Sequence, residues 1–174
     1  CCSADNFYTT VSPTPLGSLL YWCPMADNDS AQRLLIVWHS RTGAARQLAE
    51  AALQGARAVV DELCAGNRVV IVMRTADETS AEDLLEAAAY LFCAPENLGS
   101  LSGAMKEFFD RNYYSVLDRI SGRPYALAIA AGSDGSGAVR QSERICTGWR
   151  LRAAAPPYIV NTDAQTAEAI LAEK

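Results

Sequence analysis

Five short apolar runs, each separated from the next by a segment with helical spacing, confine this chain to one broad architecture. The runs are residues 34–38 (LLIVW), 69–73 (VVIVM), 88–93 (AAYLFC), 125–131 (YALAIAA) and a fifth inside 149–160, interrupted by Pro156 and Pro157. They are continuous rather than alternating, as in strands covered on both faces. Residues 44–59 place Leu48, Ala51, Ala52, Gly55 and Val59 at helical spacing. Ser80, followed by Glu82 and Asp83, opens a short helix that ends near Glu86 or Ala87. Pro95 is expected to stop the third strand. Ser102 stands as N-cap for a helix over 105–113 with Met105, Phe108 and Phe109 on one face. Val116, Leu117 and Ile120 continue that pattern until Gly122 and Pro124 end it. Residues 138–146 form the next helix, and 163–172, capped by Asp163, the last. Strand and helix alternating in this way predict an α/β sandwich of three layers. Its five-stranded parallel sheet has the order 2-1-3-4-5.

Half of the 174 residues are hydrophobic, enough for one domain with a sizeable core. A net charge of −5 and the lack of a basic stripe argue against a nucleic-acid partner. No apolar run approaches the ~20 residues of a membrane span. The six cysteines contain no C-x-x-C pair and His39 is the one histidine, so metal-ligand spacing is absent. Cys64 and Cys93 read as small buried hydrophobes, which fits a reducing compartment and a cytoplasmic location. Residues 1–24, rich in Pro, Ser, Thr and aromatics, read as an N-terminal extension, poorly ordered or not native, ahead of a natural start at Met25. An ordered strap over the domain of residues 25–174 is the alternative.

In an open α/β sheet, ligands bind beyond the carboxyl ends of the strands, near the switch in strand order. Three unusual segments leave the sheet there. The first strand exits through Ser40, Arg41, Thr42, Gly43, Ala44 and Ala45. The third exits through Pro95, Glu96, Asn97, Leu98, Gly99 and Ser100, and the fourth through Gly132, Ser133, Asp134, Gly135, Ser136 and Gly137. The first suits a phosphate: a helix start offers free N–H groups and partial positive charge, hydroxyls add donors, and Gly43 admits close approach. Small residues after Ser or Thr also cap ordinary helices, so both readings stand. The segment is neither G-x-x-x-x-G-K-[ST] nor G-x-G-x-x-G, which removes the P-loop and the dinucleotide fingerprint.

The stretches SRTGAA, CAPENLGSLSGAMKEFFDR and RPYALAIAAGSDGSG resemble the flavodoxin-like family, especially its NAD(P)H-dependent FMN reductase and quinone reductase branch. The resemblance spans roughly residues 34–172 and implies a flavodoxin-like fold. It further implies FMN as cofactor, NAD(P)H as electron donor, and hydride passing through FMN to a quinone or similar small acceptor. On that basis residues 40–45 hold the phosphate, while 95–99 and 132–135 line the flavin ring through backbone groups, with no catalytic side chain assigned. One departure is Ala45, where the family often has a second Thr; this implies weaker phosphate binding. Carrier flavodoxins sandwich the ring between aromatics, and neither ring loop here has one, which favours an enzyme. An electron carrier docking with a redox partner, or a binding domain that keeps the fold without flavin, are the alternatives.

Other residues have plainer readings. His39 is structural rather than a proton donor. Phe108 and Phe109 are core, Trp38 is core and Trp149 a shelf. Tyr113 and Tyr114 mark either an interface between copies of the chain or ordinary packing. Asp110 and Arg111 are a candidate intrachain ion pair, and Asp134 serves either a turn or the ring.

Overall fold

The computed structural model describes residues 31–162. The expected N-terminal extension, the start at Met25 and the helix capped by Asp163 lie outside the described residues. The described chain runs β1 (Gln32–Trp38), α1 (Ala44–Glu62), β2 (Val69–Thr75), α2 (Ala81–Glu86), β3 (Ala89–Asn97), β4 (Ser100–Leu101), α3 (Gly103–Val116), β5 (Pro124–Ala131), α4 (Ser136–Gly148), β6 (Arg152–Ala153) and β7 (Tyr158–Asn161).

The parallel sheet has the order β2-β1-β3-β5, and β6 and β7 share the next position along β5. This is the expected order 2-1-3-4-5. The fifth strand is split because Pro156 and Pro157 cannot donate to the ladder, so pairing stops after Ala153 and resumes at Tyr158. The register Leu34–Ala89 and Trp38–Cys93 brings the ends of β1 and β3 level.

Side-chain alternation divides the core into two layers. Leu35, Val37, Tyr90, Phe92, Leu127 and Ile129 belong to the larger one, with Phe108, Phe109 and Met105 of α3 and Ala138 and Cys146 of α4. Ile36, Cys93 and Ala128 face the other way, onto Ala49 of α1. Ala45 and Ala49, four residues apart, are the fully buried positions of α1, so the helix sits close on the sheet. Ser80 and Asp83 form a reciprocal capping box at the start of α2. The Arg123 guanidinium closes its other end, donating to the carbonyls of Leu84, Leu85 and Ala87.

Several expectations need correction. The third strand does not stop at Pro95 but runs to Asn97. Cys93 C=O accepts from His39 N–H at 3.1 Å, and two residues later the Pro95 nitrogen faces the same side, where β1 has already ended. Helix α3 ends at Val116 rather than continuing to Ile120; Leu117 turns extended and Asp118 takes φ 63°. Ile120 is nevertheless buried, in the turn that follows. Cys64 is exposed at the C-terminal turn after α1, whereas Cys93 and Cys146 are buried. The two tryptophans exchange roles: Trp149 is completely buried among Phe108, Phe109 and Tyr113, and Trp38 is half-buried under the Arg46 guanidinium. Asp110 pairs with Lys106, and Arg111 with Glu107, because residues four apart share a helix face and adjacent ones do not. No helix among the described residues is long and apolar enough to cross a membrane.

Candidate functional site

The chain leaves β1 through His39 to Gly43 and enters α1 with Gly43 in the left-handed region at φ 89°. Gly43 N–H donates to Ser40 Oγ at 2.9 Å. That bond uses the oxygen as acceptor and leaves the Ser40 proton for another partner. No side chain caps α1 and its first turn holds no acid. The first N–H groups of a helix have no partner within it. At α2 the Ser80 hydroxyl accepts from Asp83 N–H, at α4 Glu96 accepts from Gly137 and Ala138 N–H, and α3 has no side-chain cap. At α1, among the described residues, no side chain meets them. Trp38, Ser40, Arg41, Gly43 and Arg46 line a cavity of about 390 Å³ beside this turn. Thr42 is half-buried and Arg41 exposed, while the Ala45 methyl is fully buried against the sheet. Ala45 is fully buried as a whole residue, so it offers a ligand no exposed surface.

The segment expected as a loop after the third strand is a β-hairpin. Pro95, Glu96 and Asn97 are the end of β3, and Glu96 and Asn97 pair antiparallel with Leu101 and Ser100 of β4. Leu98 and Gly99 turn the chain, with φ 54° and 69°. Two positive φ values are what a tight hairpin turn of this twist requires. Leu98 is fully exposed there, and holding a leucine in that region costs about 1–2 kcal/mol.

From β5 the chain passes Gly132, Ser133 and Asp134, which are exposed, to Gly135 at φ 70°. Asp134 serves the turn: it accepts from Ser136 N–H at 3.0 Å and from the Ser136 hydroxyl at 2.9 Å. These hydrogen bonds hold its carboxyl below the ordinary range. A Cβ on Gly135 would stand 2.7 Å from Ile159 Cγ2. Ser133 C=O accepts from Asn161 Nδ2 at 3.2 Å.

Side chains tie the three segments to one rim. Glu96 reaches from β3 to the β5–α4 loop, accepting from Ser133 Oγ and Gly135 N–H at 2.9 and 3.2 Å. His39 Nδ1 and Ser102 Oγ share a hydrogen bond of 2.9 Å, so the β1 exit is fastened to the start of α3. Ser102 thus occupies the N-cap position but gives its hydroxyl to His39 rather than to the helix. Burial lowers the His39 pKa, opposed by the Asp77 charge and reinforced by Arg41. The rim therefore gathers residues 40–45, 95–99 and 132–135 around the carboxyl ends of β1, β3 and β5. Sequence reasoning missed the roles of Glu96, Ser102 and Gln141. Gln141 Oε1 accepts from Ser100 Oγ and Leu101 N–H, both at 2.9 Å. The hydroxyl of Ser102 was visible as a cap, but nothing in the sequence marks Gln141.

Sheet order and flanking helices define a flavodoxin-like α/β sandwich. A family model for NADPH-dependent FMN reductase matches residues 39–167, and the chain belongs to that family. A flavodoxin of Aquifex aeolicus (strain VF5) is 28% identical over 105 residues, which are 60% of this chain and 53% of that protein. The match thus spans about half the length of this curated relative. Among solved structures, a flavodoxin from the domain Archaea has a TM-score of 0.62 at 16% identity, covering 81% of this chain and 90% of its own. An oxidoreductase from Corynebacterium diphtheriae has a TM-score of 0.62 at 19% identity, with 82% and 89% covered. A flavodoxin, WrbA-like protein from Agrobacterium tumefaciens has a TM-score of 0.58 at 15% identity, with 80% and 88% covered. These three likenesses are of fold.

Proposed function

We propose that the chain binds FMN at this rim and, as an NAD(P)H-dependent oxidoreductase, delivers reducing equivalents to a quinone or similar small acceptor. Membership of the FMN reductase family supports the cofactor and the donor. The observation that carries the reading is the uncapped, acid-free start of α1 beside a cavity lined by Ser40, Arg41 and Arg46, whereas α2 is closed by its own capping box and α4 by Glu96. Backbone N–H groups and the helix dipole together favour an anion there.

The residues present fit the phosphate of FMN. The Ser40 hydroxyl, its oxygen already engaged by Gly43 N–H, donates outward. Thr42 adds a second hydroxyl, the partly exposed Ala44 backbone at the start of α1 adds an N–H group, and Arg41 adds charge. The hairpin at Pro95–Gly99 and the loop at Gly132–Gly135 serve the ring, and no side chain there is required to move a proton. When bound, the flavin supplies the hydride chemistry, and the protein supplies placement. The test is NADPH and NADH consumption by the purified protein with FMN and a panel of quinones. Acceptor-dependent consumption above the protein-free rate is expected; rates that stay at background with every acceptor refute the enzyme reading.

A carrier that docks with a redox partner is the second reading, favoured by the flavodoxin relative and by the exposed Leu98 at the rim. Accumulation of a one-electron-reduced form during photoreduction, with no NAD(P)H turnover, would select it.

A further inference from the structure

One carboxylate holds the ring end of the rim together. Glu96 Oε2 accepts from Ser133 Oγ and Gly135 N–H at 2.9 and 3.2 Å, and Oε1 from Gly137 and Ala138 N–H at 3.1 and 3.3 Å. The last two donors lie at the start of α4, where N–H groups lack helical partners and negative charge is favoured. One turn further, Gln141 Oε1 fastens Ser100 and Leu101 of β4. Behind the carboxylate, the hairpin turn rests directly on α4: a Cβ on Gly137 would fall 1.9 Å from Gly99 O. The hairpin and the β5–α4 loop are therefore one wall, and the anion receptor of α4 is filled from within. Among the described residues, no carboxylate fills the start of α1 in this way.

We propose that Glu96 is a positioning residue for the flavin ring. Its carboxylate fills the start of α4, fixes the hairpin and the 132–135 loop as a single wall, and leaves the start of α1 as the receptor for the cofactor's phosphate. The inference rests on the FMN reading above. It divides the labour of the site: Ser40 and Thr42 act on the phosphate, and Glu96 acts on the ring without touching it.

Riboflavin carries the same ring without the phosphate, so the division can be measured. The full chain, Glu96→Gln, Gln141→Ala and the double variant Ser40→Ala/Thr42→Ala are titrated with FMN and with riboflavin by flavin fluorescence. Thermal unfolding of each protein without ligand is recorded in parallel. Glu96→Gln keeps the size but turns an amide NH₂ toward N–H or O–H donors. It is expected to weaken FMN and riboflavin alike, by about tenfold, with their affinity ratio within about twofold of the wild type. Gln141→Ala should weaken both by a smaller, equal factor, and it carries the same prediction if Glu96→Gln does not fold. The double variant should weaken FMN alone. Lowered thermal stability with unchanged riboflavin affinity in Glu96→Gln would overturn the proposal, reducing Glu96 to a structural tie. Loss of FMN but not riboflavin would overturn it by placing the phosphate at α4. A wild-type protein that binds neither flavin instead removes the FMN reading, and this inference with it.

Discussion

Replacing Gly137 with alanine should damage the fold far more than one methyl group suggests. The new Cβ would lie 1.9 Å from Gly99 O and 2.7 Å from Gly99 C, against ordinary contact beginning near 3.4 Å. Both sides of this collision are backbone, so no side chain can rotate away. The hairpin must retreat by about 1.5 Å from α4. Such a shift pulls Glu96 from Gly137 and Ala138 N–H, now at 3.1 and 3.3 Å. Hydrogen bonds to a charged group contribute about 1.5–3 kcal/mol each, so loss of both gives a destabilisation of about 3–5 kcal/mol. In a chain of this size that is a fall in Tm of about 6–20 °C. Gly55 is the matched control: it lies in α1, with nothing within 4 Å of a Cβ built there. Gly55→Ala should stabilise the protein by about 0.4–1 kcal/mol, by restricting the unfolded chain and favouring helix. Urea and thermal unfolding of both variants provide the assay. A Gly137→Ala protein whose midpoint matches the wild type would refute the close approach of hairpin and helix.

The capping box at α2 predicts that Ser80→Ala lowers stability by about 0.5–2 kcal/mol, read as a shift in the urea midpoint without a change in slope. His39 gives a pH dependence. The unfolded chain binds its proton at the ordinary pKa of 6.5, the native state only at lower pH because burial opposes the charge. Stability should therefore fall as pH drops below about 6.5, and His39→Asn should flatten that part of the stability–pH curve; an unchanged curve would contradict the burial of the ring. Burial pushes the Cys93 thiol up to about 12 and Cys146 higher still, while Cys64 is exposed. Among these three, brief alkylation followed by peptide mass mapping should find label on Cys64 alone until the protein is unfolded.

The sequence carried the sheet because its signals were local and mutually consistent. Residues 69–75 form a strand where a continuous β-branched run predicts one, and the spacing from Leu48 to Val59 identifies α1. What escaped depended on neighbours distant in the chain. Pro95 stays in a strand only because β1 has ended beside it, which no inspection of residues 88–97 reveals. The turn at Leu98 and Gly99 lacks the Asn-Gly or Asp-Gly pair that announces a tight hairpin, and a leucine in the left-handed region is held by the contacts around it. Trp38 and Trp149 exchanged places because burial follows from what α3 presents, not from the strand or helix end on which each ring sits. At the site, Ser40 to Ala45 were legible as a strand–glycine–helix junction. Nothing near Glu96 in the sequence marks it as more than part of a ring-lining loop, because its hydrogen-bond partners, Ser133 to Ala138, lie about forty residues on.

The central claim is that the open start of α1 receives the phosphate of FMN, and equilibrium titration of the full chain with FMN tests it most directly. The account predicts saturable binding of one FMN per chain, several-fold weaker for riboflavin and weakened for FMN when Ser40 and Thr42 are both alanine. Failure to bind FMN at saturating concentration, or binding indifferent to both the phosphate and those two hydroxyls, would contradict it.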